Sequence, residues 1–182
     1  GFSLAIMEIS DIWEPDRAKE ATLVFGTNDD KHPGVNHLLN ESNPIYIGGN
    51  LKCIDLPHHY DYKNLRHSPK ALKKKFQEMG WNKIVAFQTR NPLHRAHVEM
   101  TLKAIKELDA NLLIHPVVGM TKPGDVDHYT RVRCYNHVLD RYPDNSAILS
   151  LLPLAMRMGG PREALLHAII RKNYGCTHLI VG

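Results

Sequence analysis

The fold of this chain is decided by the stretch Ile84-Val85-Ala86-Phe87-Gln88-Thr89-Arg90-Asn91-Pro92-Leu93-His94-Arg95-Ala96-His97. Its first four residues are continuously apolar, which is typical of a short strand buried on both faces of a parallel sheet. Proline is favoured in the first turn of a helix. We therefore expect a strand over residues 84–87, a loop over residues 88–91 and a helix over residues 92–108.

Two sets of residues recur at intervals of four in the predicted helix: apolar Ala96, Met100, Ala104 and Leu108, and polar Arg95, Glu99 and Lys103. Residues four apart lie on the same side of a helix. The apolar set is therefore expected to share one face of the helix, and the polar set another.

Strands and helices alternate from this stretch to the end of the chain. The pattern predicts further strands over residues 112–118, 147–152 and 178–181, and helices over residues 69–79, 130–140 and 161–174. Alternation at this spacing is typical of an α/β fold with a parallel sheet and right-handed crossovers.

Three loops follow predicted strands: residues 88–91, 119–125 and 153–160. The carboxyl ends of parallel strands meet at one edge of the sheet, where open α/β folds bind ligands. We expect the three loops to lie together there. The last predicted strand ends the chain, where a fourth such loop would begin.

The first 60 residues have a different pattern. They predict a strand over residues 4–9, a helix from Glu14 to Gly26, a turn at residues 32–34, and a strand pair over residues 45–49 and 51–54 around a glycine turn. No catalytic motif was found among them. We therefore expect two domains, comprising residues 1–60 and 61–182.

The loop over residues 88–91 and the following helix start have the chemistry of an anion site. Free amides at a helix start bind anions. Arg90 offers a planar guanidinium that matches a tetrahedral oxyanion, and Gln88 and Asn91 add neutral donors. His94 and His97, three residues apart, are expected to project from one face of the helix. Since no serine, cysteine or carboxylate lies here as a nucleophile, the pattern favours attack of one bound anion on another.

Two histidines at this spacing have simpler explanations. They often mark only a polar helix face, and a zinc protease would need a glutamate where Arg95 lies. The conjunction of a strand, Arg90-Asn91-Pro92 and two histidines is much rarer, and it favours a functional site.

Composition and charge limit the kind of protein and the kind of ligand that this sequence suggests. Of the 182 residues, 43% are hydrophobic and 23% are charged, which predicts a packed globular core. The net charge of +4 suits anionic substrates without requiring them. The run Lys73-Lys74-Lys75 is expected to be a solvated helix face, and no aromatic residues are interleaved as single-stranded nucleic acid would require.

Three widely spaced cysteines, Cys53, Cys134 and Cys176, argue against a disulfide framework and against a zinc site, and they favour a reducing, cytoplasmic setting. Neither a signal segment nor a stretch long enough to span a membrane is recognisable. Because the chain opens within an apparent strand and lacks an initiator methionine, we expect a fragment.

The residues from Gln88 to His97 resemble the Q-x-R-N-P-x-H-x-x-H signature of the ATP sulfurylase family. The resemblance extends to the segments 115–125, 152–164 and 167–175. The segments 23–26 and 32–35 resemble the family's amino-terminal PUA-like β-rich domain. The amino-acid sequences of the loops are most similar to those of the fungal and related bacterial type of this family.

The resemblance implies a Rossmann-like nucleotidylyltransferase domain, truncated at its carboxyl end, that transfers the adenylyl group of ATP to sulfate. Gln88 and Arg90 would hold sulfate, and residues 88–91 would also line the ATP phosphates. The positions Thr89, Arg90 and Asn91 would form the active site, while His94 and His97 would stabilise transition-state charge. By the same resemblance, Gly182 would be the first residue of a further motif that binds the nucleotide. Magnesium would arrive with ATP, no tightly bound cofactor is expected, and a homo-oligomer without nucleic-acid or membrane partners is expected.

Three other functions were weighed. Another adenylyltransferase would use the same histidines but commonly lacks the Gln-x-Arg-Asn-Pro string. A non-catalytic module would be favoured by loss of Arg90 or His94, and both are present. A nucleic-acid-binding module would need clustered arginines with stacking aromatics.

The roles of several further residues stay open. Met156 and Met158 could flank the adenosine or fill the core, and Lys122 and Asp125 could touch substrate or shape a turn. The irregular spacing of the remaining histidines favours surface positions over a metal site: His32, His37, His58, His59 and His67.

Overall fold

A computed structural model of the chain describes residues 2–120 and 124–181. The chain divides into two compact units. The first contains the residues up to Lys63 together with Met158–Gly160, and the second contains the remainder.

The first unit contains a two-stranded antiparallel sheet and short helices. Its elements are β1 (Ala5–Trp13), α1 (Arg17–Phe25), α2 (Pro33–Asn36), a π-helical turn (His37–Glu41) and β2 (Tyr46–Cys53). The predicted helix ends at Gly26 as expected, but it begins at Arg17, three residues later than predicted. Asp16 caps α1 by accepting a hydrogen bond from the Lys19 amide at 3.0 Å, and Gly26 ends it in the left-handed conformation.

The predicted strand pair around a glycine turn is wrong, because residues 46–53 form the single strand β2. Its register with β1 shifts between Ile9 and Asp11. A Cβ at Gly49 would lie 2.0 Å from the Glu8 carbonyl oxygen. The glycine therefore serves a close approach of two backbones at a bulge, and not a turn.

The second unit is a four-stranded parallel sheet with helices, as predicted. Its elements are a 3₁₀ turn (Lys63–Leu65), α3 (Pro69–Glu78), β3 (Ile84–Phe87), α4 (Arg95–Leu108), β4 (Asn111–Ile114), α5 (His128–Leu139), β5 (Ala147–Leu149), α6 (Gly160–Asn173) and β6 (His178–Ile180). The strand order is β5-β4-β3-β6, so the first strand of the series is central, and all four of its residues are buried. No helix in residues 2–120 and 124–181 is long and apolar enough to cross a membrane.

One side of the sheet is covered by α3. Leu72 and Phe76 of this helix form a core cluster with Ile84 and Ala86 of β3 and Leu113 of β4. The lysine run lies on the outer side of the same helix, where Lys74 pairs with Glu78 at 3.5 Å, so the prediction of a solvated face is confirmed.

The strands β4 and β5 are shorter than predicted, but their parallel pairing continues beyond them. An isolated bridge joins Val117 to Leu152. The Leu152 amide donates to the Pro116 carbonyl, and the Val118 amide donates to the Leu152 carbonyl, both at 2.9 Å. The loops after β4 and β5 are thereby joined backbone to backbone.

The helix α4 differs from its prediction in its start and in its buried face. It begins at Arg95, with His94 as the extended N-cap, and it buries Val98, Thr101 and Ile105. A helix turns every 3.6 residues, so a four-residue interval drifts around its surface. The predicted apolar residues therefore do not all lie on the buried side of the helix, and Met100 is 39% exposed.

Thr101 can be buried because its hydroxyl is fully bonded. It donates within the helix to the carbonyls of His97 and Val98, at 2.9 Å each, and it lies 2.7 Å from the Tyr142 hydroxyl. A polar residue thus occupies a core position that the apolar pattern assigned to its neighbours.

The loops after β4 and β5 lie so close together that position 119 should accept no residue larger than glycine. A Cβ at this position would lie 2.4 Å from the Leu154 carbonyl oxygen. We expect Gly119→Ala to weaken the contact between these loops by about 1–3 kcal/mol, through forced separation of backbones. Hydrogen–deuterium exchange of the full-length protein should show about five- to a hundredfold faster exchange at the Met156 amide.

The control for this prediction is Gly48→Ala in β2, where an added Cβ would lie 3.4 Å from its nearest neighbour, a Trp13 ring carbon. This substitution should leave exchange at Met156 unchanged. Unaltered exchange in Gly119→Ala would show that the two loops can separate freely.

Candidate active site

The three predicted loops lie together at the carboxyl edge of the parallel sheet. The Val117 amide donates to the Thr89 carbonyl at 3.1 Å, which joins the first loop to the second. The Gly119 amide donates to the Leu154 carbonyl at 3.2 Å, and the Met156 amide donates to the Met120 carbonyl at 2.9 Å, which join the second to the third. The prediction that these loops share one edge is confirmed.

The first loop is held by a hydroxyl that competes with helix formation. Thr89 is buried, and its Oγ1 accepts from the Asn91 amide at 3.0 Å and donates to the Asn91 carbonyl at 3.1 Å. Because such local bonds offer the backbone an alternative to helical pairing, they explain why α4 starts after Pro92 and not at it. Thr89 therefore shapes the loop that presents Arg90.

The same carbonyl of Asn91 is anchored from α5. The buried Tyr135 donates its hydroxyl hydrogen to it at 2.8 Å. Burial raises the pKa of Tyr135 to about 12, so the phenol keeps its proton and acts as a donor. Sequence reasoning missed this residue, which lies 44 positions beyond its partner.

His94 and His97 stand side by side at the start of α4, as predicted. Their ring centroids are 4.0 Å apart, and the ring of Phe87 lies 5.6 Å from that of His97. His94 is exposed and His97 is half-buried. The pair thus presents two imidazoles at the positive end of the helix dipole.

The proton position on His97 follows from its hydrogen bond. The His94 amide donates to His97 Nδ1 at 3.4 Å, so Nδ1 acts as an acceptor and the neutral ring carries its hydrogen on Nε2. Burial, and then the neighbouring His94, lower the pKa of His97 below its usual value. The structure therefore favours a neutral imidazole that donates through Nε2.

Arg90 is paired with a carboxylate from the second loop. Its Nη1 lies 2.5 Å from both Oδ1 and Oδ2 of Asp125, whose side chain is only 6% exposed. Asp125 was predicted to touch substrate or to shape a turn, and what the structure shows is an ion pair that fixes the arginine. Because both contacts use Nη1, they do not occupy the Nε–Nη2 edge of the guanidinium, which suits bidentate oxyanion binding.

Gln88 reaches the third loop. Its Nε2 lies 3.5 Å from the Met156 sulfur, so Met156 borders the first loop. Met158 has a different setting, since the structure assigns it to the first unit, where its carbonyl lies 3.0 Å from His32 Nε2. Of the two methionines, Met156 alone contacts a predicted site residue through a bond described here.

The second loop is held by hydrogen bonds from a buried arginine of α5, Arg131, which sequence reasoning also missed. Arg131 of α5 is 2% exposed, and it donates to the carbonyls of Val117 at 2.8 Å and Val126 at 2.9 Å. One guanidinium thus ties the two ends of this loop together. A basic residue at a core-facing helix position would have been the available signal.

Two predicted positions, Lys122 and Gly182, lie outside the described residues. Within residues 2–120 and 124–181, no three histidine, cysteine or acidic side chains are grouped as metal ligands would be. The thiols of Cys53, Cys134 and Cys176 are free, and burial raises the pKa of Cys176 to about 12.

The fold and this site define a Rossmann-like domain of the nucleotidylyltransferase type. The chain belongs to the ATP-sulfurylase family, whose sequence-family model matches residues 63–182. A model of the PUA-like domain matches residues 1–56, which confirms the nature of the first unit.

Curated relatives support this assignment. The chain is 58% identical over 180 residues to a sulfate adenylyltransferase of Phaeosphaeria nodorum, and 57% identical over 179 residues to that of Schizosaccharomyces pombe. These alignments cover 99% and 98% of the chain, but 31% and 36% of the relatives. The chain thus spans about a third of their length.

A solved structure shares the fold of the whole chain. It is described as a hexameric APS kinase from Thiobacillus denitrificans, and it is 33% identical with a TM-score of 0.77. The match covers 100% of the chain and 32% of that protein.

The half-buried position of His97 predicts how it titrates. In the full-length protein, we expect His97 to titrate below 6.5. Pyrophosphate should raise its pKa, because an adjacent anion stabilises the imidazolium. The measurement is a pH titration of ¹³C-labelled histidines by NMR, with His97→Gln to assign the resonance.

The exposed His37, which lies 2.9 Å from Glu41 in the first unit, supplies the internal control. Its NMR signals should not respond to pyrophosphate. A titration of His97 that pyrophosphate leaves unchanged would show that no anion binds beside this ring.

Proposed function

We propose that the full-length protein is a sulfate adenylyltransferase. It transfers the adenylyl group of ATP to sulfate, giving adenosine 5′-phosphosulfate and pyrophosphate, the first step of sulfate activation. The observation that carries the proposal is that the loop bearing Gln88 and Arg90 leads directly into the start of α4, where the rings of His94 and His97 lie side by side with their centroids 4.0 Å apart. The curated relatives, which are sulfate adenylyltransferases, and the ATP-sulfurylase family match support the same reaction.

In this proposal, the first loop holds both anions. Gln88 and Arg90 bind sulfate, and residues 88–91 line the ATP phosphates with Thr89, Arg90 and Asn91 as the active-site core. Gly182, beyond the described residues, is proposed to contact the nucleotide. Asp125 leaves the Nε–Nη2 edge of Arg90 for two parallel hydrogen bonds to sulfate oxygens.

The reaction is proposed to be an in-line attack of a sulfate oxygen on the α-phosphorus, with pyrophosphate leaving on the opposite side. Sulfate is a poor nucleophile, so alignment matters most, and it can supply roughly 7–11 kcal/mol of the barrier. The chain provides for this through the anchored loop, since Thr89 and Tyr135 fix the residues beside Arg90. Magnesium accompanies ATP as part of the substrate.

His94 and His97 act on the developing charge of the phosphate. A neutral His97 carries its hydrogen on Nε2, because Nδ1 accepts from the His94 amide, and in this proposal Nε2 donates it to the phosphate. A donor held in place before the reaction needs no reorganisation as charge develops, and it is therefore worth more than a water molecule.

Several properties of the whole protein belong to the same proposal. We propose a cytoplasmic homo-oligomer without nucleic-acid partners, in which residues 1–60 form part of a PUA-like domain and residues 61–182 part of the catalytic domain. The structurally similar protein from Thiobacillus denitrificans is hexameric, which supports self-association.

The reaction is tested by replacing sulfate with molybdate. We expect the full-length protein to release pyrophosphate from ATP continuously in the presence of molybdate, because the pocket suits a tetrahedral dianion and the mixed anhydride formed hydrolyses. Pyrophosphate release is measured by a coupled assay. If release required neither oxyanion, and a mononucleotide or nucleotide sugar was turned over instead, the proposal would be wrong.

The division of roles predicts contrasting variants. His94→Ala should lower kcat by about 10²–10³-fold with little change in ATP binding, which is the usual effect of removing one donor to transition-state charge. Arg90→Ala should in addition raise the KM for sulfate, because Arg90 contacts sulfate in the ground state. Both constants are measured by steady-state pyrophosphate release.

Arg95→Ala is the matched control, since this arginine adjoins His94 on α4 but its side chain is 93% exposed. It should behave as the wild-type protein does. Near-normal turnover of His94→Ala would contradict the role assigned to the histidine.

A further inference from the structure

The helix α6 has an inverted pattern: its buried side carries a line of polar and charged residues. Glu163, His167 and Arg171 lie four residues apart and are 7%, 5% and 1% exposed, whereas Leu165 and Ile169 are at least half exposed. Burial of a glutamate and an arginine is unfavourable unless each is bonded. The line therefore needs a reason beyond packing.

The three side chains lie in a row, in which His167 is hydrogen-bonded to Arg171 while Glu163 lies beyond hydrogen-bonding distance of His167. Glu163 Oε1 lies 3.7 Å from His167 Nε2, and His167 Nδ1 lies 2.5 Å from Arg171 Nη1. Because a guanidinium can only donate, Nδ1 must be the acceptor, and His167 is neutral with its hydrogen on Nε2, towards Glu163. Burial, and then Arg171, lower the pKa of His167, in agreement with this assignment.

One end of this row reaches the backbone of the third loop, and the other reaches the backbone just after β4. Glu163 Oε1 accepts from the Arg157 amide at 2.6 Å, in the third loop. Arg171 Nη2 donates to the His115 carbonyl at 2.9 Å, between β4 and the second loop. The His115 amide in turn donates to the Phe87 carbonyl at 2.9 Å, at the end of β3.

The position of Arg157 affects Gln88 through Met156, the residue before Arg157. The Met156 sulfur lies 3.5 Å from the Gln88 side-chain nitrogen. The Met156 amide donates to the Met120 carbonyl. A displacement of the Arg157 backbone would therefore carry Met156 with it. Gln88 has been assigned to sulfate in the proposed reaction.

We propose that Glu163, His167 and Arg171 are positioning residues that hold the third loop in register with the second and thereby set the position of Gln88 for the oxyanion. This inference rests on the proposed function for its effect on sulfate. The contact between Glu163 and the Arg157 amide is the step that can be tested most directly.

The test is a pair of variants in the full-length protein. Glu163→Asp keeps the charge but withdraws the carboxylate by one methylene, so the contact with the Arg157 amide should be lost. Glu163→Gln keeps the length and the acceptor oxygen but removes the charge. We expect Glu163→Asp to raise the KM for sulfate about ten- to a hundredfold, more than the KM for ATP, because a displacement of about 1 Å can have an effect of that size. Glu163→Gln should stay within about threefold of the wild-type protein.

Glu107→Asp on α4 is the control, because Glu107 is an exposed glutamate 3.7 Å from Lys103. It should leave every kinetic constant unchanged. A purely structural role for Glu163 would lower the amount of folded protein, and therefore kcat, without selecting sulfate over ATP. A loss confined to kcat, or a Gln variant as impaired as the Asp variant, would overturn the inference.

A second readout does not depend on turnover. Hydrogen exchange at the Arg157 amide should accelerate in Glu163→Asp and stay protected in Glu163→Gln. If the wild-type protein released no pyrophosphate with either oxyanion, the proposed function would fail, and the exchange result would still decide whether Glu163 holds the third loop. Equal exchange in both variants would overturn the inference on its own.

Discussion

The rest of the structure depends on the parallel pairing of strands in the four-stranded sheet. In this sheet β3 pairs with β4 and β6, and β4 pairs with β5. It directs the chain after every strand to one edge, so residues distant in sequence must meet there. The pairing does not stop at the strand ends, since the bridge between Val117 and Leu152 carries it into the loops. The site is therefore built from loops that keep sheet-like backbone contacts, which limits how far each can move alone.

Buried polar groups then hold these loops from the helices. Arg131 and Tyr135 of α5 donate to loop carbonyls, and Arg171 of α6 does the same at His115. A guanidinium inside a protein must find acceptors, and backbone carbonyls that point away from a strand end supply them. Removing such a cation would leave carbonyls without partners, so its substitution is expected to disturb the loops before it disturbs the core.

The sequence was sufficient for the order of the elements in the second unit and for the meeting of its loops, because the apolar strands and the turn residues carry those signals locally. It was insufficient for the start of α4, where the Thr89 hydroxyl competes with helical pairing, and for the buried face of that helix, where Thr101 is satisfied by its own backbone. It also missed the pairing of Arg90 with Asp125, since charges 35 residues apart meet only through the fold. The burial of Glu163, His167 and Arg171 could not be expected, because charged residues usually face solvent. Their four-residue spacing, however, showed that they share one face of α6.

Electrostatics indicate how this site would distinguish anions. The charge of Arg90 is balanced by Asp125, and burial together with His94 lowers the pKa of His97, so near neutral pH these three residues add little net positive charge. Attraction by net charge would favour any anion and would be screened by salt. Directed donors, namely the remaining edge of Arg90, Nε2 of His97 and the Gln88 amide, favour an anion whose oxygens are placed to meet them. Discrimination in the proposed reaction should therefore depend on the geometry of the oxyanion more than on its charge, and that geometry is held by the buried contacts beneath the loops.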